Sequence, residues 1–268
     1  MFHTIKQGTL EYLTADALED SVHCFSTRLG GVSEGVLSSL NLGTHRGDKP
    51  ENVRENYRIL GKAVGFAPEE TAFTRQEHTD LLLRVGRADC GTGLDREQTT
   101  VCDGILTDEP GVALVCFAAD CTPVLLFDPV RQAIAAVHAG WRGTAQGIAY
   151  KAVLRMQEEF GCASEDIRAA IGPCIGRCCF EVGPEVSDAM REALGADAEA
   201  AIEPRGEKAH VDLKLLNRIW LQKAGVQVID VSPDCTMCHP DRFWSHRVTG
   251  GARGSQAAII RLKGGAAQ

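Results

Sequence analysis

Short apolar runs of strand length, set between Gly, Pro and Asp, recur along this chain and limit what it can fold into. They fall at residues 22–26, 80–85, 112–119, 123–127, 133–137, 167–171, 226–231 and 256–261, and are rich in Val, Ile, Leu and Ala. Helical patterns lie between only some of them. Asp48 and Glu51 have the spacing of a capping box, ahead of a stretch in which Val53, Tyr57 and Leu60 share one face and Gly65 ends the helix. Further helices are expected at about 144–160, stopping at Gly161, after Pro184, and at 212–224 before Gly225. Strands outnumber helices and do not alternate strictly with them. The expected class is therefore α+β: layered mixed sheets with helices packed outside. No Gly/Ser/Pro-rich linker divides the chain, so 1–268 reads as a single domain, with the tail LKGGAAQ frayed.

Composition narrows the function classes. The net charge of −8 and pI of about 5.5 argue against a nucleic-acid partner, because a phosphate backbone selects a basic face. No apolar run approaches the ~20 residues that span a membrane. The start, MFHTIKQGTLEYLT, has neither a basic region nor an apolar stretch of the secretory kind, so a cytoplasmic location is expected. Eleven cysteines are unusual and odd in number, and in a reducing compartment they are core residues, metal ligands or catalytic groups.

Two segments carry ligand-type residues close together. The run 123–127 and the run 133–137 flank a turn, Asp128-Pro129-Val130-Arg131. A two-residue hairpin pairing Asp128 with Arg131 sets Cys121 directly opposite His138. His78 lies where an apolar-flanked segment enters a polar turn. Two His and one Cys with an open fourth position make a catalytic zinc pattern. The same residues also allow a buried Cys with two hydrogen-bonded histidines, or a nucleophile, Cys121, activated by His138. Gly140-Trp141-Arg142-Gly143-Thr144 opens the helix after His138, so Arg142 and the helix start form a candidate phosphate site.

Other segments are less specific. The loops at 27–33 and 41–48 are Gly-rich and polar, which suits either a site or ordinary turns. Cys235-Thr236-Met237-Cys238-His239 matches a haem-attachment string, but no export signal accompanies it, so packing cysteines are the better reading. Cys174, Cys178 and Cys179 can offer soft ligands to a second metal, yet no matching second cluster is evident along the chain, and a structural loop is expected there.

Taken together, STRLGGVS at 26–33, NLGTHRGD at 41–48, Gln76 and His78, CDGILTDEPG at 102–111, Ala118-Ala119-Asp120-Cys121-Thr122-Pro123, AAVHAGWRGT at 135–144, IGPCIGRCCFEVG at 171–183, Cys235-Thr236 and FWSHR at 243–247 are recognisable. The chain resembles the multicopper polyphenol oxidase (laccase)-like family, also called the peptidoglycan editing factor family. Its members are described as purine nucleoside phosphorylases with adenosine deaminase activity. The resemblance implies that His78, Cys121 and His138 bind a metal, Zn²⁺ or alternatively Cu²⁺. It implies phosphorolysis of adenosine, inosine, guanosine and S-methyl-5′-thioadenosine, and deamination of adenosine. Phosphate-binding candidates are Arg142, Arg46, His45 and Asn41, with Asp120 as a proton carrier or orienting carboxylate beside Cys121 and His138. A copper polyphenol oxidase and a Cys–His hydrolase acting on peptidoglycan precursors are the alternatives. Two places depart from the family pattern: Glu77 and Thr79 flank His78 where the family has Val and Gly, and Arg253 matches only loosely after Arg247.

Overall fold

The computed structural model describes residues 1–264, so the last four residues of the tail expected to fray lie outside them. The first of two six-stranded sheets runs, in spatial order, β1 (Phe2–Gln7), β2 (Leu10–Ala15), β3 (Ser21–Ser26), β15 (Gln256–Leu262), β7 (Ala113–Ala118) and β4 (Thr71–Phe73). The second runs β14 (Val228–Val231), β10 (Arg168–Ile171), β8 (Thr122–Asp128), β9 (Ala133–Ala139), β6 (Gly104–Thr107) and β5 (Leu82–Arg84). Both are mixed: β4 with β7, β5 with β6 and β10 with β14 are parallel, and their neighbours antiparallel. A small third sheet has the order β11 (Glu181–Val182), β13 (Lys208–Val211), β12 (Ile202–Arg205).

Apolar alternation along each strand dictates how these sheets stack. Leu125, Phe127, Ile134 and Ala136 of the second sheet meet Phe25, Leu114, Cys116 and Ile260 of the first in one core. The opposite face of the second sheet, including Val124, Leu126, Ala135 and Val137, packs against Ile148, Ala152, Val153 and Met156 of α3 (Ile148–Phe160). The opposite face of the first, including Cys24, Val115 and Ile259, packs against Val53, Tyr57 and Leu60 of α1 (Pro50–Val64). The order is helix, sheet, sheet, helix, and it explains why the central strands are apolar on both faces. The third sheet sits with α4 (Pro184–Leu194) and α5 (Leu213–Lys223) over a further apolar cluster. Two short helices, α2 (Trp141–Ala145) and α6 (His246–Thr249), complete the fold, which is α+β as expected.

All eight expected strands form, each within two residues of its expected bounds. Three local expectations need correction. The helix expected to start with Asp48 as its cap begins at Pro50, with Lys49 as N-cap. Proline's fixed φ suits the first helical position, while the Asp48 carboxylate is occupied by Ser33, Asn41 and Asn52. The helix expected over 144–160 is two helices, α2 and α3, broken by Gly147 at φ 72° with the Trp220 ring 3.4 Å from where a Cβ would stand. The β8–β9 hairpin pairs Asp128 with Ala133 and Pro123 with His138, not Asp128 with Arg131. Asp128 turns its carboxylate onto the amides of Val130 and Arg131, and Gln132 adopts φ 52°, which lengthens the turn. The pairing is displaced by two residues, one full strand period, so Cys121 stays on the face of His138 without lying opposite it.

The Gly-rich loop at 27–33 is a packing element. Gly30 has φ +94°, and a Cβ there would lie 2.3 Å from the Leu10 Cα. Gly8 also has a positive φ, but nothing lies within 4 Å of its Cβ position. Gly30→Ala is expected to lower unfolding stability by about 2–4 kcal/mol and Gly8→Ala by only about 1 kcal/mol. Urea denaturation midpoints of the two variants check this, and equal losses would refute the close-approach argument.

Candidate metal centre

The chain crosses from the first sheet to the second twice near one spot, once between β4 and β5 and once between β7 and β8. The first crossing carries His78 and the second carries Cys121, while His138 lies near the end of β9. The three ligand atoms all lie within 4.8 Å of one another. Cys121 Sγ is 3.7 Å from His78 Nε2, and the two imidazoles meet edge to face with centroids 5.0 Å apart.

One carboxylate holds this arrangement. Asp103, at the head of β6, is wholly buried. It accepts hydrogen bonds from the successive amides of Glu77, His78 and Thr79 and from the Thr79 hydroxyl. It also bonds His138 Nδ1 at 2.8 Å, leaving Nε2 for a ligand. Three successive amides converging on one anion form a nest, which supports His78 at φ 61°. Asp120, at φ 85°, is supported likewise: it accepts from the Thr236 hydroxyl at 2.6 Å and the Arg247 amide at 2.7 Å. A Cβ on Gly140 would lie 2.6 Å from His78 Cδ2 and 3.3 Å from Cys121 Sγ. The bare α-carbon there lets the ligands converge.

Electrostatics follow from this packing. Burial alone would raise the Cys121 thiol, but the charges and hydrogen bonds of His138 and His78 outweigh it and bring it down to about 6. Burial would lower His138, but Cys121 and Asp103 raise it to about 9. Burial also opposes the ionised form of Asp103, yet His138 and the Thr79 donors bring it down to about 2. By contrast, burial pushes Cys116 and Cys174 up to about 12. Only Cys121 of these combines thiolate character with two imidazoles. The donor set fits a borderline-soft cation with one position open.

A cavity of about 490 Å³ opens over the triad. Gln76, Glu77, Glu97, Phe117, His45, Arg46, Arg253 and Ser255 are among its walls. Arg46 Nε and Arg253 Nη1 both donate to Ser255 Oγ at 3.2 Å. Arg253 is 8% exposed, and its Nε has no hydrogen-bond partner among the described residues. Burial and the neighbouring Arg46 charge push Arg253 down to about 10. The other expected anion ligands lie elsewhere. Arg142 is exposed, its guanidinium 4.3 Å from the Trp141 ring, and it is not among the residues lining the cavity. Asn41 is fully buried, with its amide committed to Gly43, Asp48 and Ser255. Asp120 spends both carboxylate oxygens on Thr236 and Arg247. Two groups that the structure brings to the site have no role from the sequence: Asp103, signalled only by an acid leading an apolar strand, and Arg253, a loose match to the family pattern.

Four matches to known proteins bear on the family of this chain. The family model described as multi-copper polyphenol oxidoreductase laccase matches residues 22–263. A purine nucleoside phosphorylase of Bacteroides thetaiotaomicron is 37% identical over 247 residues, covering 90% of this chain and 91% of that protein. The human purine nucleoside phosphorylase LACC1 is 34% identical over 96% of this chain, which spans 59% of the human protein. The crystal structure of YlmD from Geobacillus stearothermophilus superposes with a TM-score of 0.91 at 35% identity, covering 97% of this chain and 99% of that one. The chain belongs to the laccase-like multi-copper polyphenol oxidoreductase family and shares its fold with YlmD.

Two outcomes are expected. Gly140→Ala, whose backbone at φ −66° suits alanine, is expected to fold normally while losing metal affinity by tenfold or more, read by competition with a chelator. Unchanged affinity would mean that the ligands do not need the close approach. In metal-free protein, Cys121 alkylation, followed by peptide mass mapping, is expected to rise through pH about 6 and not near the ordinary thiol value. Saturating Zn²⁺ protects it. A rise only near pH 9 would exclude the thiolate–imidazolium pair.

Proposed function

We propose that this protein is a metal-dependent purine nucleoside phosphorylase that also deaminates adenosine. The observation carrying this reading is the cavity itself, with a His₂Cys metal triad on one side and two arginines, neither in an ion pair among the described residues, on the other. Its volume lies within the roughly 300–1,000 Å³ of small-ligand sites. Two guanidinium groups sharing a serine hydroxyl, one of them buried with an unpartnered Nε, favour an oxyanion such as phosphate. The purine nucleoside phosphorylase names of relatives similar over most of this chain agree with that chemistry.

In phosphorolysis a phosphate oxygen bonds to the anomeric carbon, the glycosidic C–N bond breaks, and its electron pair leaves with the purine. Arg46 and Arg253 would hold phosphate in line with that carbon, with His45 beside them as a further donor. His78, Cys121 and His138 would hold Zn²⁺, or alternatively Cu²⁺. Bound there, the metal would supply Lewis acidity toward substrate oxygen or water. Asp103 keeps His138 oriented through Nδ1. Asp120, with both oxygens engaged, acts as a positioning residue for Cys121 more readily than as a proton carrier. Glu77 lines the rim, its carboxylate 3.5 Å from Arg75, and would tune which nucleosides enter. A cytoplasmic setting accords with reactive thiols in this site.

The test is incubation of zinc-loaded protein with adenosine, with and without phosphate. Adenine formed only with phosphate is expected, and inosine formed without it. Arg253→Ala is expected to raise the KM for phosphate about tenfold or more while sparing deamination. Phosphate-independent base release would sink the phosphorylase reading. Phenol oxidation dependent on copper, or turnover abolished by Cys121 alkylation in metal-free protein, would favour the oxidase or the Cys–His hydrolase respectively.

A further inference from the structure

Four cysteines outside the cavity converge on one point. Cys178 and Cys179 lie in the turn before β11, and Cys235 and Cys238 in the segment between β14 and α6. Far apart in sequence, the two pairs meet because residues 174 and 235 form a parallel bridge, with the Thr236 amide bonded to the Cys174 carbonyl. All four sulfurs lie within 4.8 Å of one another. Cys238 Sγ is 3.6 Å from Cys178 Sγ and 3.4 Å from Cys179 Sγ. The matching cluster not evident along the chain is thus the Cys235/Cys238 pair, and the loop expected to be merely structural carries half of a donor set.

We propose that Cys178, Cys179, Cys235 and Cys238 form a second metal site, holding one tetrahedral soft cation of the zinc class in a closed, structural role. A tetrahedron of sulfurs at a Zn–S distance of about 2.3 Å has edges of about 3.8 Å, and the Cys238–Cys178 and Cys238–Cys179 separations of 3.6 and 3.4 Å lie within a few tenths of an ångström of it, with all four sulfurs inside 4.8 Å. Four donors leave no open position, unlike the His₂Cys triad. One disulfide would use two sulfurs and leave two, whereas Cys238 approaches Cys178 and Cys179 almost equally. The backbone is arranged for a charged sulfur. The Gly176 amide donates to Cys235 Sγ at 3.1 Å, and a Cβ on Gly176 would crowd Cys178 Sγ and Cys235 Cβ at 3.2 Å. Cys178 and Cys238 are exposed, so a cation from solution reaches the site directly.

The position gives the site a purpose. Thr236, between Cys235 and Cys238, donates to Asp120 at 2.6 Å, and the Ile175 amide donates to the Asp120 carbonyl. Both cysteine-bearing segments therefore grip the residue that precedes Cys121.

Full-length protein purified under anaerobic reducing conditions is loaded with Zn²⁺ alone and passed over a weak chelator, and metal per chain is measured. About two equivalents are expected for the wild type, and about one each for Cys121→Ala and Cys178→Ser/Cys238→Ser. X-ray absorption of zinc in Cys121→Ala is expected to show an all-sulfur shell at about 2.3 Å. Because that variant keeps the four cysteines intact, it carries the test even if the double variant misfolds. Absence of retained zinc in Cys121→Ala, or a shell containing nitrogen or oxygen, would overturn the proposal. So would a loss of two hydrogens in unreduced protein mapped to Cys238 with Cys178 or Cys179.

Discussion

The Asp103 carboxylate is the constraint on which the site depends. It sits without solvent contact at the seam between the sheets and gathers donors from both sides: three amides of the crossing that carries His78, and the ring of His138 on β9. A buried carboxylate without partners would be severely destabilising. Here every donor it needs comes from a group that must be held still. The unfavourable backbone of His78 is paid for by the nest, and the tautomer of His138 is set by the same oxygen that bonds the His78 amide. Geometry and charge in the triad are therefore consequences of one buried anion.

Much of this was legible along the chain, for identifiable reasons. Central strands such as β7, β8, β9 and β15 are buried on both faces and read as plain apolar runs. The strands that did not announce themselves include β1, mostly exposed and polar, and β11, of only two residues. The His138–Cys121 proximity survived an incorrect register because the error equalled one strand period. An error of one residue would have sent Cys121 to the opposite face. What failed was contact that only tertiary structure creates. Arg142 follows a metal-ligand motif and opens a helix, yet stacks on Trp141. Arg253 and Arg46, more than 200 residues apart, meet at Ser255.

The cysteines sort by environment, not by local sequence. Cys24, Cys116 and Cys174 are buried, and burial pushes their thiols up, so they behave as small hydrophobes. Cys121 is equally a single cysteine in sequence, but two imidazoles reverse the sign of its shift. Cys178, Cys179, Cys235 and Cys238 belong to neither group, because sulfur meets sulfur. Adjacency along the chain marked Cys178 and Cys179 without revealing their partners some 60 residues away.

An acidic chain with a cationic patch in one cavity is no contradiction once the field is considered locally. The net charge of −8 is spread over the surface, where exposed ion pairs such as those of Arg54, Arg191 and Lys208 neutralise much of the charge of both signs. Such pairs are screened within roughly 8–10 Å. On one side of the cavity the balance inverts, because Arg253 is buried next to Arg46, whose charge disfavours its ionised form. Holding two guanidinium groups together in partial desolvation destabilises the empty site. An anion entering between them relieves that repulsion in addition to forming its own hydrogen bonds. The arrangement favours a compact, multiply charged oxyanion over a neutral ligand on that side of the cavity.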